Sequence, residues 1–553
     1  MIGKVASLCI CLGILSSACS PAATPEPSIW TETPAPSSTP LPPTVSPAAD
    51  TPEFTPTPTL PGYETPDWFK EAVLYEIFVR SFADSDGDGI GDIPGITARL
   101  DYLASLGVTV IWLMPIYPSP SVHGYDVTNY TEVNPQYGTL ADLQLLVEAA
   151  HDRGMRVILD FVPSHLSNQN PLFQEAYGNP EASISDWFVW TDEAHTQYAG
   201  FADLREMPRF NHSQPEVADY LVAAAKYWLD LDGDGDYQDG IDGFRVDNAI
   251  YPPHKFLATL RREVKSANPD SLLLGEVWVE TTALLGRYYE DQFDALFDFP
   301  LYGRLQGHQD RNGDGLLARD GFPALLTSML VEEAERFPAE AIVTRFLSNH
   351  DTNRIASEVA GDPARLRLAA ALSAGLPGPV MVYYGEEIGM PGVKGGPPDW
   401  DNYRREPMDW YTGESGPDQT SWFKPEDRWN RPDDGISVEE QESDPDSLLN
   451  AYRQALNLRA QYPALGRGEL EFVELEASGQ GPWGFLRSTE GQSILALYNF
   501  STEEQSFTVK AFPFEAPKLI DLLTGEDLPP ASAGEEYRLT LPAAGALLLF
   551  PDS

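Results

Sequence analysis

The chain has 553 residues, long enough for two or three domains with sizeable cores. It carries 84 acidic against 36 basic residues, a formal net charge of −48, which repels nucleic acid and anionic membrane surfaces and leaves neutral molecules as the expected partners. Its three cysteines, Cys9, Cys11 and Cys19, all lie near the N-terminus, so from residue 20 onward no disulfide, zinc–thiolate site or cysteine nucleophile can form.

Residues 1–19 start with Lys4, continue through an apolar run and end in Ser16-Ser-Ala-Cys19. A charged start, an apolar middle and small residues at the end are the layout of a signal peptide. Small residues leading into Cys19 resemble the lipobox of bacterial lipoproteins. The expectation is an exported protein, lipid-attached at Cys19 and touching a membrane only through that anchor, with simple secretion as the alternative. Residues 20–66 are rich in Pro, Thr and Ser; they can bury little and are expected to form a stiff, extended spacer.

From residue 67 the texture changes. Short apolar, β-branched runs occur at 73–79, 108–113, 157–161, 243–246, 272–274, 295–297, 342–347 and 380–383. Each is short enough for a fully buried strand, and helix-period stretches separate most of them. Eight alternations predict an α/β fold: a (β/α)8 barrel over 67–165 and 213–461. The long gap after the third run predicts a short inserted subdomain at 166–212. From 462 to 553, runs at 469–475, 483–487, 493–499, 506–509, 537–541 and 546–550 predict a C-terminal antiparallel β domain.

Active sites of such barrels lie at the C-terminal ends of the strands. Here the fourth strand ends in Asp247, the fifth in Glu276 and the seventh runs into Asp351. Two carboxyls flanking an acetal are what glycoside cleavage needs, one to attack and one to protonate the leaving oxygen. Arg245 lies two residues before Asp247, on the same side of the strand, and its charge is expected to keep Asp247 ionised.

At this point the chain resembles glycoside hydrolase family 13, the α-amylase family. Seven segments carry the likeness in order: Gly124-Tyr-Asp126, Asp160-Phe-Val-Pro-Ser-His165, Met207-Pro-Arg-Phe-Asn211, Gly243-Phe-Arg-Val-Asp247, Gly275-Glu-Val-Trp278, Phe346-Leu-Ser-Asn-His-Asp351 and Gly378-Pro-Val-Met-Val-Tyr-Tyr-Gly-Glu386. The resemblance implies Asp247 as nucleophile, Glu276 as acid/base and Asp351 as stabiliser of the distorted sugar. It places His123, Tyr125, Asp126, His165, Arg245, His350 and Arg354 around the sugar being cleaved. Met207-Pro and Arg404-Arg-Glu-Pro-Met-Asp-Trp410 resemble bacterial lipoprotein α-amylases intermediate between oligo-1,6-glucosidases and neopullulanases. The implied activity is retaining hydrolysis of α-1,4 bonds in starch-like glucans or malto-oligosaccharides. An exo-acting α-glucosidase or a transglycosylase such as a trehalose synthase is the alternative, and a non-catalytic binding barrel a remote one.

Asp84-Ser-Asp86-Gly-Asp88-Gly-Ile90-Gly-Asp92 follows the first strand. Oxygen ligands at alternate positions with a glycine at the sixth match the start of a calcium loop. Gly95 stands where an EF-hand has its glutamate, so this is not an EF-hand. Structural Ca2+ is expected on Asp84, Asp86, Asp88, the Ile90 carbonyl and Asp92. Asp230-Leu-Asp232-Gly-Asp234-Gly-Asp236 and Asp310-Arg-Asn312-Gly-Asp314 are shorter versions of the same pattern. Ser164 stands where the family's usual calcium site beside the insertion has Asn.

Overall fold

The computed structural model describes residues 64–552, apart from 238, 309–312, 322, 478 and 480. Cys19, the signal-like segment, nearly all of the spacer and the Asp310–Asn312 part of the third acidic loop lie outside the described residues.

Eight parallel strands close into a barrel. They are β1 (Val73–Ile77), β2 (Val110–Leu113), β3 (Arg156–Phe161), β4 (Gly243–Val246), β5 (Leu272–Gly275), β6 (Ala295–Phe297), β7 (Ile342–Phe346) and β8 (Val380–Tyr383). They are apolar almost throughout because both faces are covered. Leu74, Val110, Trp112, Ile158, Leu272, Leu274 and Phe297 point inward and pack as one cluster. The alternating residues Tyr75, Ile111, Val157, Leu159, Phe244 and Leu273 join a second cluster under the surrounding helices. The inward parity continues from Ile158 to Asp160, from Arg245 to Asp247 and from Leu274 to Glu276. The barrel interior thus turns from apolar to charged at its C-terminal end.

The first run is shorter as a strand than its sequence suggests. After Ile77 the chain turns into a short helical segment, Val79–Phe82. The loop that follows returns beneath it: Gly91 donates to the Arg80 carbonyl at 2.8 Å, and a Cβ on Gly91 would lie 2.0 Å from the Val79 oxygen. At the start of β4, Gly243 has φ +141° and no room for a side chain against the Leu272 carbonyl, which only glycine accommodates.

Between β3 and β4 the insertion holds one short α-helix, Pro171–Ala176, and two 3-10 turns, Ser185–Trp187 and Phe201–Asp203, and is tied by single antiparallel bridges, among them His165 to Arg209 and Gly200 to Pro208. The chain then enters the helix Pro215–Leu229.

Beyond the barrel, the helix Leu448–Gln461 leads into two antiparallel sheets. One contains β10 (Leu475–Ala477), β13 (Gln505–Val509) and β16 (Tyr537–Leu541). The other contains β9 (Glu469–Phe472), β11 (Pro482–Thr489), β12 (Gln492–Asn499), β14 (Lys518–Asp521), β15 (Asp527–Leu528) and β17 (Ala546–Asp552). The expected strand at 469–475 is two strands on different sheets, and the β14–β15 pair was not expected. Two buried arginines satisfy the carbonyls at the end of the barrel helix Pro363–Gly375. Arg459 donates to Ala374 and Leu376, each at 3.0 Å. Arg487, on β11, donates to Gly375 at 2.9 Å and Leu465 at 2.8 Å. The last carbonyls of a helix have no partner within it and carry its negative end, so cations there are favourable.

Candidate active site

Adjacent strands set the two central acids side by side. Val246 pairs with Gly275, so the next residues, Asp247 and Glu276, face each other across the β4–β5 seam. The ladder continues past the strands: Asp247 N–H donates to Phe161 at 2.8 Å and Glu276 N–H to Val246 at 3.1 Å. Asn248 then turns left-handed, with φ +43°, a conformation asparagine tolerates better than most residues. Its N–H donates to Glu276 Oε2 at 2.8 Å.

Arg245, 1% exposed, is the hub. It donates to Asp160 at 2.8 and 2.9 Å, to Asp247 Oδ1 at 2.9 Å and to Glu276 Oε1 at 2.8 Å. Its guanidinium lies over Trp112 at 5.1 Å. The other Asp247 oxygen, Oδ2, is buried and has no hydrogen-bond partner among the described residues. Burial, with the negative charges of Glu276, Asp160 and Asp351 nearby, pushes the Asp247 carboxyl well above the usual carboxylate range; Arg245 pulls against this without prevailing. Arg245 was expected to keep Asp247 ionised; its charge is shared with Asp160 and Glu276, and burial of the site opposes it. Burial likewise moves Asp160 up to about 6, against Arg245 and His350.

On the opposite wall, His350 connects the parts. Its Nδ1 is 2.5 Å from Glu76 Oε1 on β1, and its Nε2 lies 2.7 Å from the Tyr125 hydroxyl and 3.2 Å from Asp351 Oδ2. Burial disfavours the charged ring, but Asp351 and Glu76 outweigh it and raise His350 to about 10. Tyr125 donates to Asp160 Oδ2 at 3.0 Å. Burial also pushes Asp351 up, but His350, Arg405 and Arg404 hold it well below the usual carboxylate range. Arg405 Nη2 donates to Asp351 Oδ1 at 2.8 Å and its Nε to the His350 carbonyl at 3.0 Å.

Asp247, Glu276 and Asp351 line one recess of about 180 Å³ with Phe201, Asn248, Ile250 and Trp278. His165 lies close by, its ring tilted against Phe201 with centroids 4.6 Å apart. Its Nδ1 bonds Ser164 at 2.6 Å, and its buried Nε2 has no partner among the described residues. Burial lowers its pKa to about 3, so the ring is neutral. His123 sits beside Tyr125, with ring centroids 6.1 Å apart.

Two of the expected sugar contacts, Arg354 and Asp126, are engaged by other groups of the protein. Arg354 is buried, donating to the Arg404 carbonyl at 3.0 Å and the Tyr384 carbonyl at 2.6 Å, with its guanidinium over Tyr383. Arg405 takes the place beside Asp351. Asp126 accepts from the Ser119 hydroxyl at 2.5 Å and also from the Ser121 hydroxyl, so it braces its own loop. Glu76, Phe201, Trp278 and Arg405 were not picked out from the sequence. Trp278 ends a quoted motif and Glu76 is an acid inside an apolar run, so both carried a signal; Phe201, on the insertion, carried none.

In the acidic loop after β1, carboxylate oxygens of Asp84, Asp86 and Asp92 come within 4.8 Å of one another. Asp84 accepts from Gly87 and Gly89, each at 2.7 Å. Asp88 stands outside the trio, with Oδ1 accepting from Ile90 N–H at 2.7 Å. All-oxygen ligands in a glycine-rich loop suit a hard cation such as Ca2+. Asp230, Asp232 and Asp234 converge in the same way, on a more exposed loop.

Residues 76–468 match the family description "Alpha amylase, catalytic domain", and residues 472–548 match "Maltogenic Amylase, C-terminal domain". The chain belongs to the α-amylase family, glycoside hydrolase family 13. It is 34% identical to Alpha-amylase 3 of Dictyoglomus thermophilum over 464 residues, covering 81% of this chain and 88% of that one. It is 31% identical to a probable alpha-glucosidase of Rhizobium meliloti, covering 87% and 96%. The solved α-amylase of H. orenii superposes with a TM-score of 0.75 at 33% identity, covering 87% of this chain and all of that one. The protein is an enzyme of this hydrolase family.

Proposed function

We propose that this hydrolase cleaves α-1,4 bonds of starch-like glucans with retention of configuration. The observation that carries the reading is the single recess lined by Asp247, Glu276 and Asp351. Asp247 Oδ1 is held by Arg245, and in the ionised form of Asp247 the unbonded Oδ2 attacks the anomeric carbon. Glu276 gives its proton to the departing glycosidic oxygen, leaving a glycosyl ester on Asp247. Glu276 then takes a proton from water, which displaces Asp247 and restores both groups. Asp351, held ionised by His350 and Arg405, stabilises positive charge on the ring. The neutral His165 offers Nε2 to a sugar hydroxyl, and the half-exposed Trp278, stacked on Phe299 at 4.7 Å, offers a face to a neighbouring glucose.

Product analysis on soluble starch tests this. Viscosity is expected to fall before glucose accumulates, and NMR is expected to show the α-anomer first. The likeness to a probable alpha-glucosidase over nearly that protein's whole length favours, as second reading, an exo-acting α-glucosidase or a transglycosylase. Faster conversion of maltose than of starch, with glucose or trehalose first, would establish it. The loop from Asp84 to Asp92 is the proposed Ca2+ site, where the ion would tie the β1 turn to the start of the helix Ile93–Ala98.

Export with lipid attachment at Cys19 is the proposed location, resting on Ser16-Ser-Ala-Cys19 and the Pro/Thr spacer. The first described residues agree with such a tether. The Glu64 carbonyl accepts from Lys265 and the Thr65 hydroxyl donates to the Asp294 carbonyl, each at 3.3 Å. These contacts lie at the N-terminal ends of the barrel strands, opposite the recess. Release of activity from membranes by Cys19→Ala tests the anchor.

A further inference from the structure

Glu76 stands at the inward face of β1, fully buried, and Oε1 meets His350 Nδ1. Among the described residues no other side chain bonds it; Oε2 has no partner. A buried carboxylate without a countercharge is strongly unfavourable, and the cation that this one contacts is the His350 ring. From that ring an unbroken series of contacts runs through Tyr125 and Asp160 to Arg245, and from Arg245 to Asp247 and Glu276.

We infer that Glu76 is a positioning residue, which holds a proton on His350 Nδ1 so that Nε2 stays a donor fixed between the Tyr125 hydroxyl and Asp351. The contacts make the roles one-directional. With Nδ1–H committed to Glu76, the lone proton of a neutral ring would sit on Nδ1, and Nε2 could only accept. Nε2 would then repel Asp351 Oδ2. With both nitrogens protonated, Nε2–H serves Tyr125 and Asp351, and Tyr125 is free to donate to Asp160. The groups facing this ring from its neighbours are Glu76 on β1, the Trp112 edge on β2, Tyr125 after β2, Asp160 on β3 and Arg245 on β4. Asp351 follows the ring in its own loop. Tyr383 lies on β8, and Arg404 and Arg405 on the segment after it. The raised His350 pKa agrees with this balance of charge.

The test is Glu76→Gln, which keeps the shape and an oxygen for Nδ1–H and removes the charge. The alkaline limb of kcat is expected to move to lower pH by at least about one unit, with KM little changed. Glu76→Asp, which restores a carboxylate, is expected to return the limb toward its original position. A role in packing alone would lower activity evenly at all pH values. In the unmodified protein, selective 15N labelling of its eight histidines, with His350→Asn to assign the signal, is expected to show one ring doubly protonated at pH 8. A neutral His350 at pH 8 overturns the inference even if Glu76→Gln does not fold. An alkaline limb in Glu76→Gln superimposable on the original also overturns it. The NMR measurement needs no substrate, so its failure is distinct from failure of the starch reading.

Discussion

Replacing Arg245 by lysine separates charge from geometry at the centre of the site. Lysine keeps the cation but lacks the planar fork that now reaches Asp160, Asp247 and Glu276 together. One ammonium nitrogen replaces the two, Nη1 and Nη2, that now divide these acids between them, so at least one acid loses a charged hydrogen bond. Such a bond contributes about 1.5–3 kcal/mol, which converts to a loss of about 10- to 150-fold in kcat/KM. Arg245→Leu removes the charge as well; leaving buried acids uncompensated costs roughly 3–5 kcal/mol of stability, and these acids will respond by binding protons. Because Arg245 opposes the upward push on Asp247, its removal moves the acidic limb of kcat to higher pH. The assay is initial-rate hydrolysis of soluble starch from pH 4 to 9, with melting temperatures measured alongside. An Arg245→Lys variant within about twofold of the original at every pH would refute the claim that the fork organises the acids.

Three further outcomes follow from the geometry. Chelation is expected to lower the melting temperature through loss of a ligand specific to the folded state, and Asp84→Asn to remove that sensitivity; an unchanged melting temperature with no metal bound would exclude the Ca2+ site. Arg487→Met removes the donor to the carbonyls of Gly375, Leu465 and Gly468 and is expected to destabilise by about 1–3 kcal/mol for each buried carbonyl left without a partner with kcat unchanged, which thermal unfolding and kinetics together check. His165, lowered to about 3 from an ordinary 6.5, binds its proton more readily unfolded than folded, so its contribution is complete above pH 6.5 and lost as pH falls toward 3, by up to about 1.4 kcal/mol per unit; His165→Asn is expected to flatten the acid side of the stability curve.

The barrel was legible because each strand is a short run buried on both faces, and the acids because they sit where those runs stop. What was not legible depended on placement in three dimensions. The last two residues of the first run leave the strand because the acidic loop must pass beneath them. The β14–β15 pair is short and half polar, and offered no apolar run beyond Leu519 and Ile520. Phe201 reaches the recess only through the bridge between Gly200 and Pro208, which no local pattern announces. Arg354 was expected beside the sugar, and Arg405 was not singled out. The fold separates them, turning Arg354 onto the Tyr384 carbonyl and Arg405 onto the acid.

That separation has a consequence for how Asp351 is positioned. Asp351 is held by an arginine from the segment that follows β8, not from its own loop, so this acid is set by two elements at once. Arg404 supports the same arrangement, donating to the Asp351 carbonyl and to Asp401. The half-exposed Trp400 begins the helical turn Trp400–Arg404. Substitutions in that turn can therefore shift Asp351 without touching Asp247 or Glu276. The segment Arg404-Arg-Glu-Pro-Met-Asp-Trp410 is accordingly more than a mark of likeness. Its first two residues hold the acid, Glu406 accepts from the N–H groups of Trp429 and Asn430, and Trp410 donates to the Phe82 carbonyl beside the acidic loop. One short stretch thus connects the charge at the mouth to the packing around β1.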